Sequence, residues 1–174
     1  ITLYQETYNK NQYEKMHVSG NKSSFKSRLD ALEFACIAGF RKVGIGVLLG
    51  LDNWKKETCL LAHHLKYLIK NFPYTEFSIS FPRINPVETS FKIPNPVSDK
   101  DLVQMIISLR LIFDDIGFVL STRENRNLRD KLISLCITQI SAGSKTNPGG
   151  YSSNTNSLNQ FSISDNRDLS EMIK

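Results

Sequence analysis

Long apolar runs are missing from this chain of 174 residues, and none approaches the roughly 20 residues that a membrane-spanning helix needs. Ile1 to Lys10 has neither the basic start nor the apolar middle of a signal peptide, so a soluble, intracellular segment is expected, with no membrane partner. Charge is not concentrated either: 22 Lys and Arg against 17 Asp and Glu give a net +5 that is spread along the chain. That balance suits anionic ligands without arguing for nucleic acid. Cysteine is scarce. Cys36, Cys59 and Cys136 lie far apart, each inside an apolar helical pattern, which argues against a disulfide framework or zinc knuckle and for buried, reduced thiols. There is no Walker loop and no metalloprotease signature. The adjacent His63 and His64 point to different sides of a helix, so no metal site is expected in this chain.

What is present is enough apolar residue, 40% of the chain, to bury one substantial core. Five short β-rich runs stand out: Thr2 to Gln5, Val43 to Leu49, Phe77 to Phe81, Gly117 to Leu120 and Ile137 to Ile140. Amphipathic helices lie between them. Phe25, Leu29, Leu32 and Cys36 share one face, ended by Gly39; Leu61, His64, Leu65 and Leu68 share another, ended by Asn71 and Pro73. A third helix starts at Ser98, which can cap with Asp101 three residues on, and runs through Leu102, Met105, Ile106, Leu109 and Phe113. A fourth covers Leu128, Leu132, Ile133 and Leu135.

Such alternation calls for an α/β fold of parallel strands joined by right-handed crossovers. The runs Val43 to Leu49 and Gly117 to Leu120 are continuously apolar or small, as strands covered on both faces should be, which favours a barrel or doubly wound sheet. A five-strand array would leave exposed edges that invite another chain. Gly44, Gly46 and Gly50 resemble a dinucleotide fingerprint only superficially, because they lie within a strand, where close packing explains them. Lys145 to Gln160, rich in Asn, Ser and Gly, reads as a loop or mobile segment.

Ligands of parallel α/β proteins gather at the carboxyl ends of the strands, so the residues after each run are the candidates. Arg123 presents a planar fork that can clamp a carboxylate or phosphate, or it pairs with Glu124. Arg83 enters the same rim after Pro82 or lies on the surface. Glu6 can accept from a ribose or an ammonium group, or it caps a loop. Ser141 and Ser144 flank Ala142 and Gly143 and either hold an anion with hydroxyl and amide donors or cap a turn. Lys10, Lys15, Lys22 and Lys26 interleave with Tyr8, Tyr13 and Phe25, a pattern open to single-stranded nucleic acid but better read as a solvated loop leading into a helix.

Taken in order, Tyr4-Gln5-Glu6-Thr7-Tyr8, Val43 to Leu51, Ser78 to Arg83, Pro96-Val97-Ser98-Asp99, Ser121-Thr122-Arg123-Glu124, Ser141 to Ser144 and Pro148-Gly149-Gly150-Tyr151 resemble the aromatic amino-acid lyases of the radical S-adenosylmethionine superfamily. Asp52-Asn53-Trp54 and Leu102-Val103-Gln104 are most similar to the tyrosine lyases of thiamine thiazole formation, with the hydrogenase-maturation tyrosine lyases as the alternative. The resemblance implies a TIM-type (βα)8 barrel carrying a [4Fe-4S] cluster that cleaves S-adenosylmethionine reductively. The radical so formed breaks the Cα–Cβ bond of L-tyrosine, giving dehydroglycine (2-iminoacetate) and p-cresol. Thiazole synthase is the implied recipient of dehydroglycine, and the cytoplasm or plastid stroma the implied compartment.

Carried over by the same resemblance, Gln5, Glu6, Thr7 and Arg28 are expected near S-adenosylmethionine. Arg123 is the expected catalytic residue, gripping the amino-acid carboxylate with Ser141 or Ser144 and, more loosely, Arg83. One departure is decisive. The CxxxCxxC cluster loop of the family is absent, and Cys36, Cys59 and Cys136 have neither its spacing nor its position. The expectation is therefore the carboxyl-terminal half of a barrel, about five parallel strands over residues 1–144, then a loop and short helix over 145–174. The missing amino-terminal half would bring the cluster ligands. A half-barrel that serves only as a non-catalytic binding module is the competing reading.

Overall fold

Large aliphatic and aromatic residues alternate with glycine and serine along the strands, and this alternation decides which face each strand buries. The computed structural model describes residues 1–84, 92–145 and 163–173. Its strands are β1 (Thr2–Tyr4), β2 (Lys42–Gly46), β3 (Glu76–Ser80), β4 (Gly117–Leu120) and β5 (Gln139–Ile140). They form one sheet in the order β1-β2-β3-β4-β5. Every neighbouring pair is parallel. The helices are α1 (Lys10–Met16), α2 (Phe25–Ile37), α3 (Trp54–Asn71), α4 (Asp99–Ile112), α5 (Arg126–Ile133) and α6 (Leu169–Met172). The expected five-strand parallel α/β arrangement is thus observed. Among the described residues no helix is long and apolar enough to cross a membrane.

Register sorts the strand residues into two faces. Val43 pairs with Phe77, and Ile45 with Ile79, which in turn pairs with Phe118. These residues are buried with the inner faces of the helices: Leu32 and Cys36 of α2, Leu61, Leu65 and Leu68 of α3, Leu102, Met105, Ile106 and Leu109 of α4, and Leu128 and Leu132 of α5. Each such side chain contributes about 1.5–3 kcal/mol by leaving water. The opposite face carries Gly44 beside Ser78 and Gly46 beside Ser80, with Gly117 beside Ser78. A Cβ on Gly46 would sit 2.6 Å from the Ser80 carbonyl oxygen, so glycine is what allows β2 and β3 to approach here. The Tyr4 ring lies against Gly46 on this second face, where β2 contributes Gly44 and Gly46.

Local signals set the helix limits as expected at several points. Ser98 caps α4 and forms a reciprocal capping box with Asp101. Gly39, at φ 83°, supplies the left-handed residue after α2. Other expectations need correction. The second run leaves the ladder after Gly46, and Leu49 returns only as an isolated bridge to Arg83, while the last strand shrinks to Gln139–Ile140. α1, read from sequence as a solvated loop, is a helix capped by Asn9. Tyr13 is its one buried residue, too few to give a periodic signal. Of the three cysteines only Cys36 is buried; Cys136 is half-buried and Cys59 is exposed, because α3 turns residues 59 and 60 away from its Leu61–Leu65–Leu68 stripe. Residues 146–160 of the expected loop, with the Pro148 to Tyr151 motif, lie outside the described residues.

Candidate functional site

The carboxyl ends of five parallel strands make one rim, and the loop that leaves each strand begins there. Gln5, Glu6 and Thr7 follow β1, Arg83 follows β3, Arg123 and Glu124 follow β4, and Ser141 follows β5. All the strand-end candidates therefore stand at the same end of the sheet. Arg28 joins them from α2: its Nε donates to the Tyr4 carbonyl at 2.6 Å and its Nη2 to Glu6 Oε1 at 3.1 Å. Lys22 Nζ reaches the same Glu6 oxygen at 3.1 Å. Glu6 has φ 71°, a left-handed value that a non-glycine residue holds only where its surroundings enforce it. The Leu48 N–H donates to its carbonyl at 2.8 Å.

Arg83 is committed within the rim. It pairs with Glu124 and with Asp99 (2.8 Å), and donates from Nη1 to the Val97 carbonyl at 2.9 Å. Burial opposes its charge, but the two carboxylates outweigh that and hold its pKa above the ordinary value. Glu124, the pairing alternative considered for Arg123, is thus held by Arg83. Arg123 is half-buried, and burial depresses its pKa, with Tyr4, Glu6 and Glu124 acting in the opposite direction. A partly desolvated guanidinium in that position is suited to a carboxylate brought by a ligand.

Thr7 is wholly buried and its hydroxyl is occupied, donating to Glu57 at 2.5 Å and accepting from the Asn9 N–H at 3.0 Å. Gln5 is 2% exposed; its Nε2 donates weakly to the Thr7 carbonyl at 3.5 Å and its Oε1 has no partner among the described residues. A buried acceptor without a donor is costly, and at a strand end it is a place for a ligand donor. Ser141 and Ser144 are both half-buried. The Ser141 N–H donates to Leu120 and its carbonyl accepts from Arg129 Nη2.

Sequence reasoning missed the structure that backs this rim. Arg129 of α5 is completely buried and pairs with Asp165, which also receives Arg167 Nη2 at 2.7 Å. Arg167 continues to Asp130 at 2.7 Å. The Ser164 and Asp165 N–H groups donate to the Thr122 carbonyl at 2.9 and 3.2 Å, and the Gly143 N–H donates to the Arg167 carbonyl at 2.9 Å. The segment from residue 163 onward is thereby stapled beside Arg123 and Ser141. Arg167's hydrogen bonds, against burial and with help from Arg129, hold the Asp165 carboxyl well below the usual carboxylate range. No sequence signal announced the Arg129–Asp165 and Asp130–Arg167 pairs, because they join residues 36 and 37 apart through a segment without periodicity. Glu57 did carry one: a carboxylate on the buried stripe of a helix, four residues before Leu61.

A depression of about 660 Å³ opens at the other, amino-terminal end of the strands, lined among others by Thr2, Lys42, Ser78, Gly117 and Gln139. It contains none of the rim candidates. Among the described residues no group of three His, Cys, Asp or Glu could hold a metal ion, and the cysteines lie in separate helical elements or loops. The chain therefore does not fit a resident iron–sulfur cluster. The fit to S-adenosylmethionine is better, because the partnerless Gln5 oxygen and the enforced Glu6 geometry lie together on the rim.

Fold and rim together define the carboxyl-terminal part of a parallel α/β barrel with its ligand-facing loops. Residues 80–174 match the model of the Biotin and Thiamin Synthesis associated domain, and the chain belongs to that family. It is 39% identical over 168 residues to 2-iminoacetate synthase of Escherichia coli strain K12, covering 96% of this chain and 45% of that protein. The same figures hold for 2-iminoacetate synthase of Salmonella typhimurium strain LT2. The chain thus spans less than half the length of these curated relatives. Among solved structures it is similar to HydG, a maturase of the [FeFe]-hydrogenase, with TM-score 0.88 and 38% identity over 98% of this chain and 37% of that one. It is likewise similar to HydG from Carboxydothermus hydrogenoformans, with TM-score 0.87 and 37% identity over 99% of this chain and 39% of that one. These likenesses bear out the resemblance to the carboxyl-terminal part of the radical S-adenosylmethionine tyrosine-lyase group.

Proposed function

We propose that this chain is the carboxyl-terminal part of a 2-iminoacetate synthase-like enzyme, which cleaves the Cα–Cβ bond of L-tyrosine to dehydroglycine and p-cresol for thiazole assembly. The observation that supports it is the convergence of Gln5, Glu6, Arg28, Arg83, Arg123 and Ser141 on one end of the sheet, in a chain 39% identical to proteins of that name. S-adenosylmethionine, held at an iron–sulfur cluster whose ligands lie outside this chain, supplies one-electron chemistry. The residues here bind and orient. Arg123 grips the tyrosine carboxylate, and Ser141 or Ser144 adds hydroxyl or amide donors at the same end of the pocket. Arg83, locked by Glu124 and Asp99, braces the loops beside that grip. Gln5 and Glu6, with Arg28 behind them, face the nucleoside and methionine parts of the cofactor. Dehydroglycine passes to a thiazole synthase.

The experiment is Arg123→Ala in the cluster-loaded holoenzyme. Loss of a bidentate carboxylate contact worth about 1.5–3 kcal/mol is expected to raise the KM for tyrosine at least tenfold and suppress p-cresol release. S-adenosylmethionine binding should persist. Unchanged turnover removes Arg123 from the site. The structural likeness to HydG supports a second reading, a hydrogenase-maturation tyrosine lyase, at nearly equal identity. Complementation separates the two: rescue of a strain lacking 2-iminoacetate synthase on thiamine-free medium supports the first reading, and failure with an active enzyme supports the second.

A further inference from the structure

We propose that Glu57 of α3 is a positioning residue that sets the Gln5–Glu6 rim segment through Thr7, with His64 of the same helix anchoring Tyr8. The proposal rests on the reading above, in which Gln5 and Glu6 face the cofactor.

The geometry is a two-point latch. Glu57 is only 3% exposed and has no cation beside it among the described residues. Its carboxylate receives the Thr7 hydroxyl at 2.5 Å and the Tyr8 N–H at 3.0 and 3.2 Å. His64 lies two helical turns further along the same face, and its Nδ1 meets the Tyr8 hydroxyl at 2.8 Å, the rings edge to face. Asn9 then ties the loop on, donating from Nδ2 to Asp52 at 2.7 Å while its Oδ1 accepts the Gln12 N–H at 3.2 Å. Thr7, Tyr8 and Asn9 are thus each held from the second strand's following loop and helix, with the Asn9 N–H to the Thr7 hydroxyl as a bond among themselves.

A buried carboxylate without a cation is an expensive way to make a turn. Burial pushes the Glu57 pKa up, and the Thr7 and Tyr8 donors work against that. An apolar residue would fill the same space, so packing does not account for the acid. What it does fix is the residue before the latch. Glu6 sits at φ 71° and Gln5 carries the partnerless Oε1, and a loop free at Thr7 would let both relax. The latch therefore keeps a strained, ligand-facing pair in place.

The test uses the holoenzyme, with S-adenosylmethionine affinity by calorimetry, tyrosine affinity and thermal unfolding as readouts. Thr7→Val and Glu57→Ala should each weaken S-adenosylmethionine binding by about tenfold and leave tyrosine affinity within about twofold, and Thr7→Val should add no further loss to Glu57→Ala, which has already removed the acceptor of the Thr7 hydroxyl. Thr7→Ser, which keeps the hydroxyl, should bind within about threefold of the parent. Should Glu57→Ala fail to fold, Thr7→Val and Glu57→Gln carry the test, the latter retaining an acceptor and an intermediate affinity. Thr7→Val with unchanged S-adenosylmethionine affinity overturns the latch if Gln5→Ala does weaken binding. If Gln5→Ala and Glu6→Ala also leave affinity unchanged, it is the functional reading of the rim that fails.

Discussion

Asp165→Asn probes the rim's backing without touching a proposed ligand contact. Asp165 is 3% exposed and Arg129 0%, so the substitution strands a buried guanidinium. Breaking a buried pair from one side costs about 3–5 kcal/mol. The Ser141 carbonyl still accepts from Arg129 Nη2 and the amide oxygen still accepts from Nη1, which places the loss near the lower end, about 3 kcal/mol. Against a typical total of about 5–15 kcal/mol, that is a large fraction. Removing both partners together, Arg129→Met with Asp165→Leu, should cost less than the single variant, because the wholly buried guanidinium goes with its carboxylate and Arg167 keeps Asp130. Urea unfolding of the intact protein measures both, and hydrogen exchange at the Ser164 and Asp165 amides reports whether the segment has lifted from Thr122. The pH dependence has a defined sign. Because the folded carboxyl titrates below its unfolded value of about 3.8, its contribution is full above that pH and is lost as the pH falls below it. A single-variant loss under about 1 kcal/mol, or a double variant as damaged as the single one, refutes the reasoning.

Two further outcomes follow from packing and exposure. Gly46→Ala puts a Cβ 2.6 Å from the Ser80 carbonyl oxygen, which is backbone and cannot swing away; a loss of about 1–3 kcal/mol in urea unfolding is expected, and a neutral result would mean that β2 and β3 can part freely. Cys59 should react with an aromatic disulfide reagent well before Cys36, whose thiol is buried and raised in pKa by that burial. Peptide mapping of the first labelled thiol checks it, and Cys36 appearing first would contradict the placement of α3.

Periodic apolar residues made α2, α3, α4 and α5 readable, and three of the five β-rich runs were found at nearly their true limits. These elements bury one face each, and burial is what a sequence records best. The rim was legible as a location, since a parallel sheet dictates where loops converge. Its wiring was not. The partners of Arg83 are Glu124 and Asp99, each brought in by a separate loop or helix start, and nothing in spacing distinguishes that arrangement from Arg123 with Glu124. α1 escaped because a helix with Tyr13 as its single buried residue leaves no stripe. Cys59 was misjudged because apolar character was assigned to the helix as a whole rather than to its inner face.

The distribution of local penalties across the molecule is not even. The core between the sheet and α2 to α5 is made of aliphatic and aromatic side chains. The carboxyl end holds Glu6, the one non-glycine residue with positive φ among those described. Gln5 Oε1 after β1 is there as well, and Arg129 Nε lies behind the β5 end; these are the two buried side-chain atoms without a partner among the described residues. The buried acids Glu57, Glu124 and Asp165 gather there too, each tied to a rim loop. A fold selected for stability alone would replace such groups with apolar ones of similar size, as the rest of this core does. On the function proposed above, their concentration at one end is stability given up where loops hold fixed, polar geometry toward a ligand.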